Sequence, residues 1–352
     1  MNRTSPIPAR ALRCALALGI LAHSRQAPGE EASSKLRICA TIPDLGDLAG
    51  EVGGAEVGVT VFAKGPQDPH FLEAKPSFVK ELSRADAIVR VGLDLEAAWA
   101  PALWRNARNA AVLPDAPGYI DASKAIRPLD VPAGVVDRAL GDVHAMGNPH
   151  YLADPINGLR VARLLRDRFQ ALRPKRKEYF AGRFDDFAKR LGAAMVGERL
   201  AKKYDVEKLC MLAEASELDA FLQKQGDGAV EGWLGRLKAA RGARVVSDHN
   251  IWPYLAARFG FQVIGFLEPK PGVPPTTRHL TALIDRMKQE RAQAVLAVPY
   301  FDARHSKLVC ERTGAKLVPL AHQCGALAGT EHYLELVEHN VKALEAVLGG
   351  EK

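Results

Sequence analysis

The sequence predicts an α/β protein of two lobes, each built on a mainly parallel sheet and joined by one long rigid helix. Its 352 residues are enough for two compact domains. Short apolar runs rich in β-branched residues alternate with amphipathic stretches from Leu36 onward, a pattern typical of parallel βα units. Between the two sets of such runs lies a stretch of helical period, residues 173–204, which is long enough to span two lobes.

The first lobe is predicted over residues 36–172. Strand-like runs LRICATIP, VGVTVFA and DAIVRVGL occur here together with the helical stretch PSFVKELSRA. Residues 114–148 are richer in Pro, Gly and Asp and weakly periodic, so we expect loops there. Apolar residues at helical spacing then predict a helix over 155–172.

The linking helix and the second lobe are predicted over residues 173–204 and 205–350. Pro174 is well placed to begin the helix, and about 30 residues at 1.5 Å each give a rod of roughly 45 Å. The strand-like runs ARVVSD, FQVIGFLE, AQAVLAVP and AKLVPLA follow, each succeeded by a helical stretch. Residues 206–236 contain no motif that indicates a function.

Composition and charge exclude some functions. Hydrophobic residues make up 47% of the chain and charged residues 25%, which are ordinary globular values. The formal charge is +7, but residues 1–27 contain four arginines and no acid, which leaves 44 basic against 41 acidic residues elsewhere. A net charge of +3 is too small for a nucleic-acid-binding surface.

The first 27 residues predict a secretory signal peptide. Arginines precede the apolar run CALALGILA, and small and polar residues then lead to Ala27. The run is about half of the roughly 20 residues that a membrane-spanning helix needs. Cys14 is not in a Leu-x-x-Cys context, which argues against a lipid anchor at this position. We therefore expect a periplasmic or otherwise extracytoplasmic protein.

The other cysteines have no C-x-x-C spacing and predict neither a zinc motif nor a redox motif. They are Cys39, Cys210, Cys310 and Cys324. Buried free thiols are the favoured interpretation, while an oxidising compartment leaves a disulfide between Cys310 and Cys324 open.

Three histidines lie in contexts that favour a metal site. They occur as His70 in GPQDPHFLEAKPS, His150 in GNPHYLADPIN and His249 in VVSDHNIWPYLAARFGF. Each follows a strand or a tight Pro/Gly turn and precedes a helix, where α/β sheets bind ligands. Neutral imidazoles are favoured zinc ligands, and separate loops can bring three of them together.

The motifs around these histidines resemble those of a known family. DPH-x-x-E-x-KPS at 68–77, NPH-x-x-x-DP-x-N at 148–157 and H-x-x-WPY-x-x-x-RFG at 249–260 are similar to the metal-binding motifs of the periplasmic zinc/manganese ABC-transporter substrate-binding family. GF-x-EPKPG-x-PP at 265–275 and TGAKLVPL at 313–320 follow in the same order. The resemblance extends from about Leu36 to Leu348.

The resemblance implies that one metal ion is held between the two lobes. His70 and His150 would be ligands from the first lobe and His249 a ligand from the second. It further implies that nearby polar groups accept hydrogen bonds from the ligating imidazoles and fix their orientation. The residues implied for that role are Glu73, Asp154 and Asn157.

The fourth ligand departs from the family pattern. Many relatives have an Asp just after the last strand, but this chain has Ala321 there. The neighbouring His322 is the candidate that replaces it, with a water as the alternative. Some zinc-specific relatives have a histidine-rich loop before the second histidine motif, but here residues 126–148 contain only His144. We therefore expect no auxiliary low-affinity metal-capturing role for that loop.

These observations predict a monomeric, non-enzymatic protein that captures Zn²⁺, with Mn²⁺ as the alternative, and delivers it to the membrane permease of an ABC importer. Three imidazoles without a firm carboxylate favour zinc, because manganese prefers more oxygen ligands. A zinc-dependent hydrolase is a competing hypothesis, although HExxH is absent and only Glu73 is a candidate base. An adhesion protein whose lobes are stapled by metal is another.

Overall fold

A computed structural model describes residues 1, 35–134, 144–270 and 272–350. The predicted signal peptide lies, apart from Met1, outside the described residues. The rest forms one compact unit, Lys35–Lys352. In the described part of the chain, no helix is long and apolar enough to cross a membrane.

The first lobe contains a four-stranded parallel sheet. Its strands are β1 (Leu36–Ala40), β2 (Val57–Val61), β3 (Ala87–Arg90) and β4 (Tyr119–Asp121), in the order β2-β1-β3-β4. Its helices are α1 (Pro43–Gly53), α2 (Pro76–Leu82), α3 (Ala100–Ala107) and α4 (Pro155–Leu172). The first three residues of β3 are buried, as expected for an inner strand covered on both faces.

The second lobe repeats this architecture. Its strands are β5 (Arg244–Ser247), β6 (Gln262–Phe266), β7 (Ala294–Ala297) and β8 (Lys316–Pro319), all parallel and in the order β6-β5-β7-β8. Between the sheets the chain forms α5 (Lys177–Val196), α6 (Glu198–Lys203), α7 (Val206–Glu214), α8 (Leu218–Lys224) and α9 (Gly232–Arg236). The remaining helices are α10 (Pro253–Phe259), α11 (Thr277–Glu290), α12 (Ala303–Thr313) and α13 (Tyr333–Leu348). Two parallel sheets with surrounding helices confirm the predicted fold class.

Prolines begin the helices that follow the functional loops. Pro76, Pro155 and Pro253 occupy the first turns of α2, α4 and α10. Proline is favoured there because its fixed φ suits the helix and its missing N–H has no partner within the helix. Each of the three histidine motifs therefore contains the first residue of a helix.

The prediction of one unbroken helix over residues 173–204 was wrong. A 3₁₀ turn, Pro174–Arg176, precedes α5, and Gly197 separates α5 from α6. Gly197 has φ 90° and ψ 150°, a region that essentially only glycine adopts. The linking helix is therefore 20 residues long, or about 30 Å. Helical spacing of apolar residues continues across Gly197, which is why the sequence pattern hid the break.

Gly197→Ala is expected to lower the free energy of unfolding by about 2 kcal/mol, because alanine is strained at this φ and ψ. Its Cβ would also lie 2.7 Å from the Cβ of Glu231. Gly182→Ala is the matched control, since Gly182 is an exposed position of α5 with no neighbouring atom within 4 Å of an added Cβ. In this control the free energy of unfolding should rise by roughly 0.5–1 kcal/mol, because alanine is more stable than glycine inside a helix. Urea unfolding of both variants measures the difference, and equal stabilities would contradict the assignment of the break.

Candidate metal centre

The three predicted histidines converge between the strand ends of the two sheets. His70 lies on the loop after β2, His150 just before α4, and His249 two residues after β5. One potential ligand atom from each lies within 4.8 Å of those of the other two. Their ring centroids are 5.3 Å, 5.7 Å and 5.8 Å apart. Residues separated by up to 179 positions thus form a single cluster of imidazoles.

Carboxylates orient two of these rings. Nδ1 of His70 lies 2.7 Å from Oδ1 of Asp68, and Nδ1 of His249 lies 2.8 Å from Oε2 of Glu268. An ionised carboxylate only accepts hydrogen bonds, so each Nδ1 carries the proton and each Nε2 presents its lone pair. Burial alone would raise the pKa of Asp68, but the hydrogen bonds from His70 lower it below the ordinary value. Asp68 therefore stays ionised, as an acceptor of the imidazole proton must.

An amide performs the same task for the third ring. Nδ1 of His150 lies 3.0 Å from Oδ1 of Asn148, whose Nδ2 donates to the carbonyl oxygen of Asn250 at 2.8 Å. This contact with the second lobe fixes which end of the amide faces His150. Nε2 of His150 is buried and has no hydrogen-bond partner among the described residues. An unpaired imidazole nitrogen beside two other imidazoles is well suited to a metal ion.

The electrostatics keep His150 neutral. Its pKa is lowered well below the ordinary value, first by burial and then by the neighbouring His70 and His249. Only neutral imidazole has a lone pair for a metal, so a lowered pKa reduces the competition from protons.

His144 is the residue that sequence reasoning missed. Its Nε2 lies 3.2 Å from Nε2 of His70, and the two rings are stacked with centroids 5.3 Å apart. Burial, followed by the proximity of His70 and His249, lowers its pKa to about 3. No motif surrounds His144 in the sequence, and only the structure reveals its contact with His70. The expectation that this loop has no auxiliary low-affinity capturing role is not tested by this contact.

The residues predicted to hold the imidazoles lie elsewhere. Glu73 is exposed, and no hydrogen bond to a histidine is found for it in the described part of the chain. Asp154 accepts from the backbone N–H of Ile156 at the start of α4 and pairs with Arg258. Asn157 donates to the carbonyl oxygen of Tyr151. The acceptors at the three rings are instead Asp68, Asn148 and Glu268, so this part of the prediction was wrong.

His322 does not join the cluster. Its Nε2 donates to the carbonyl oxygen of Gln67 at 3.1 Å, and burial lowers its pKa to about 4. The backbone N–H of Ala321 is bound by Oδ1 of Asn340 at 2.8 Å, which fixes the chain beside it. The hydrogen bond to the first lobe therefore occupies Nε2, while Nδ1 of His322 is buried and has no hydrogen-bond partner among the described residues.

The cysteines provide no ligand or crosslink at this site. All four described cysteines are free thiols, and three of them are buried. The sequence left open either free thiols or a disulfide between Cys310 and Cys324, and the structure contains free thiols at these positions.

The fold and the histidine cluster define a two-lobe metal-binding protein. Sequence comparison makes this specific: residues 38–204 and 217–347 match the profile of the family described as zinc-uptake complex component A, periplasmic. The chain belongs to this family, whose members are substrate-binding proteins of metal ABC importers. The recognition of the family from its motifs is thereby confirmed.

Curated relatives include proteins named for different metals. The manganese ABC transporter substrate-binding lipoprotein PsaA of Streptococcus pneumoniae is 28% identical over 302 residues, covering 85% of this chain and 83% of that protein. The zinc-binding lipoprotein AdcA of Streptococcus pneumoniae is 24% identical over 346 residues, covering 94% of this chain and 58% of that longer protein. The names of the relatives therefore support metal transport and do not distinguish between zinc and manganese.

Solved structures share the fold. The crystal structure of ZnuA has a TM-score of 0.64 at 20% identity and covers 90% of this chain and all of that one. The laminin-binding protein Lmb of Streptococcus agalactiae, described as having adhesin and metal-transporting activity, has a TM-score of 0.62 at 21% identity. It covers 88% of this chain and 98% of that one. At these identities the likeness establishes the two-lobe architecture alone.

Proposed function

We propose that this protein captures one divalent transition-metal ion outside the cytoplasm and passes it to the membrane permease of an ABC importer. The observation that carries the proposal is the convergence of His70, His150 and His249 within 4.8 Å between the lobes. Family membership supports the partner, and the names of the relatives as lipoproteins support the location. The protein acts as a monomer, because a cluster drawn from both lobes of one chain needs no second copy.

The ligand chemistry favours zinc. Imidazole nitrogens suit Zn²⁺, whereas Mn²⁺ prefers carboxylate, carbonyl and water oxygens. The two nearby carboxylates, Asp68 and Glu268, are engaged by imidazole N–H groups. Ala321 provides no oxygen ligand from its side chain at the position where many relatives have an Asp.

His144 is the fourth ligand in this proposal. Tetrahedral zinc with Zn–N bonds of about 2.0–2.1 Å places its ligand nitrogens roughly 3.3 Å apart. The 3.2 Å between Nε2 of His144 and Nε2 of His70 matches that spacing. His144 lies outside the set of groups that all approach within 4.8 Å, so its imidazole must move closer to His150 and His249 when the metal binds.

The positions of the carboxylates near the cluster argue against a hydrolase function. A zinc hydrolase needs a general base beside the metal-bound water. Asp68 and Glu268 each accept a hydrogen bond from an imidazole N–H and are not free to act as that base. Glu73, the base considered in the competing hypothesis, is exposed. We therefore propose binding and transfer without catalysis.

Protein purified from cells without added metal is expected to contain close to one equivalent of zinc by elemental analysis. His144→Ala should lower zinc affinity by about tenfold to a hundredfold in chelator competition, because one of four nitrogen ligands is lost. His305→Ala on α12 is the control and should bind zinc as the unmodified protein does. A protein that retains manganese in preference to zinc would overturn the choice of metal. Unchanged affinity in His144→Ala would remove His144 from the ligand set.

A further inference from the structure

A side-chain amide fastens the second lobe to the loop that precedes His70. Gln323 follows β8 and is 1% exposed. Its Nε2 lies 3.0 Å from the carbonyl oxygen of Lys64, 2.9 Å from that of Gly65 and 2.9 Å from that of Gln67. Two N–H groups thus share three backbone acceptors that belong to the other lobe.

The neighbours of Gln323 strengthen this contact. Nε2 of the adjacent His322 donates to the same Gln67 carbonyl oxygen at 3.1 Å. The backbones meet at Gly65 and Gly325, where a Cβ added to Gly65 would lie 2.1 Å from the carbonyl carbon and oxygen of Gly325. Only glycine at position 65 permits such a close approach. We call residues 64–67 and 322–325 together the lobe latch.

The lobe latch continues directly into the metal centre. The turn at 64–67 is closed by the N–H of Lys64 donating to Oε1 of Gln67 at 2.8 Å, and Asp68 is the next residue. Oδ1 of Asp68 accepts from both the backbone N–H and Nδ1 of His70, at 2.9 Å and 2.7 Å. The position of the turn therefore sets the position of the carboxylate that orients the His70 ring.

We propose that Gln323 is a positioning residue that couples contact between the lobes to retention of the metal. While its amide holds the turn at 64–67, Asp68 keeps the Nε2 lone pair of His70 directed into the cluster. Separation of the two loops frees the turn, and His70 loses its orientation and releases the ion. This inference rests on the proposed function, and it assigns a structural role to the segment where the sequence led us to expect a ligand.

Gln323→Leu tests the proposal, because leucine has similar bulk and no hydrogen-bond donor. Zinc should dissociate about tenfold faster from this variant in chelator competition. A tenfold change corresponds to the loss of about 1.4 kcal/mol of hydrogen bonding. Binding stoichiometry should remain at one. Hydrogen exchange of the metal-free variant should accelerate in residues 64–70 and stay unchanged in β5 and α13.

His332→Ala is the matched control. It removes another contact between elements of the two lobes, the 2.7 Å hydrogen bond from Nδ1 of His332 to Oδ1 of Asp47, which is far less buried than the lobe latch. Zinc dissociation should be unchanged in this variant. A second variant, Gly65→Ala, forces the two backbones apart and should also speed dissociation.

Three outcomes separate the hypotheses. Equal dissociation rates in Gln323→Leu and the unmodified protein would overturn the positioning role. Faster zinc dissociation accompanied by a uniform rise in hydrogen exchange across the whole protein would likewise reduce Gln323 to a structural residue. Failure of the unmodified protein to bind either zinc or manganese would instead refute the proposed function, so the two failures are distinguishable.

Discussion

His249→Ala is expected to reduce zinc affinity at least a hundredfold, the largest effect on binding that we predict. A total binding free energy of about 10–16 kcal/mol shared among four ligands averages roughly 2.5–4 kcal/mol for each, and His144, which lies outside the three-histidine cluster, is expected to contribute less than the average. In the proposed site, His249 is the ligand that the second lobe supplies to the three-histidine cluster, so its loss would also remove the link that a bound metal would make between the lobes.

Competition against a chelator of known zinc affinity measures the effect, with His305→Ala again as the control. His249→Ala leaves Glu268 without its imidazole partner, so thermal unfolding of the metal-free protein should be recorded beside binding. An affinity within about tenfold of the unmodified protein, in a variant that is fully folded, would exclude His249 from the metal site.

Arg258→Met is expected to lower the free energy of unfolding of the metal-free protein by about 3–5 kcal/mol, the largest effect on stability. Arg258 lies on α10 of the second lobe and forms two hydrogen bonds, of 2.8 Å and 2.9 Å, with the carboxylate of Asp154 in the first lobe. The side chains are only 6% and 7% exposed. Methionine fills similar space but leaves the Asp154 carboxylate buried without its cation.

Denaturant unfolding measures the change, and Arg304→Met serves as the control. The ion pair between Arg304 and Asp302 is exposed to solvent, so its removal should leave stability unchanged within error. A loss below about 1 kcal/mol in Arg258→Met would show that the carboxylate is compensated by other groups and that the pair does not join the lobes energetically.

Two of the three acceptors that orient the imidazoles lie within the histidine motifs, and the third lies far from its histidine in the sequence. Asp68 and Asn148 each lie two residues before the histidine they hold, in the motifs DPH and NPH, and were therefore visible in the sequence. Asp154, the downstream residue that the resemblance implied for this role, is instead the N-cap of α4. Glu268 is 19 residues beyond His249, and no local pattern connects the two.

The sequence by itself determined the elements whose signals are local. β-branched runs gave strands such as β1 and β6, proline positions marked the starts of helices such as α4, and the histidine motifs indicated the three clustered imidazoles. These features depend on the propensities of neighbouring residues, and such propensities act over a few positions of the chain.

Only the tertiary structure decided which distant groups meet. The contact of His144 with His70 spans 74 positions, and those of Gln323 with residues 64–67 span more than 250. Periodicity contains no information on such contacts, because they depend on how the two sheets are oriented and how closely the loops approach. The break at Gly197 follows the same logic, since a helix tolerates glycine at a modest cost and only the structure shows the positive φ and the close approach of Glu231 at this position.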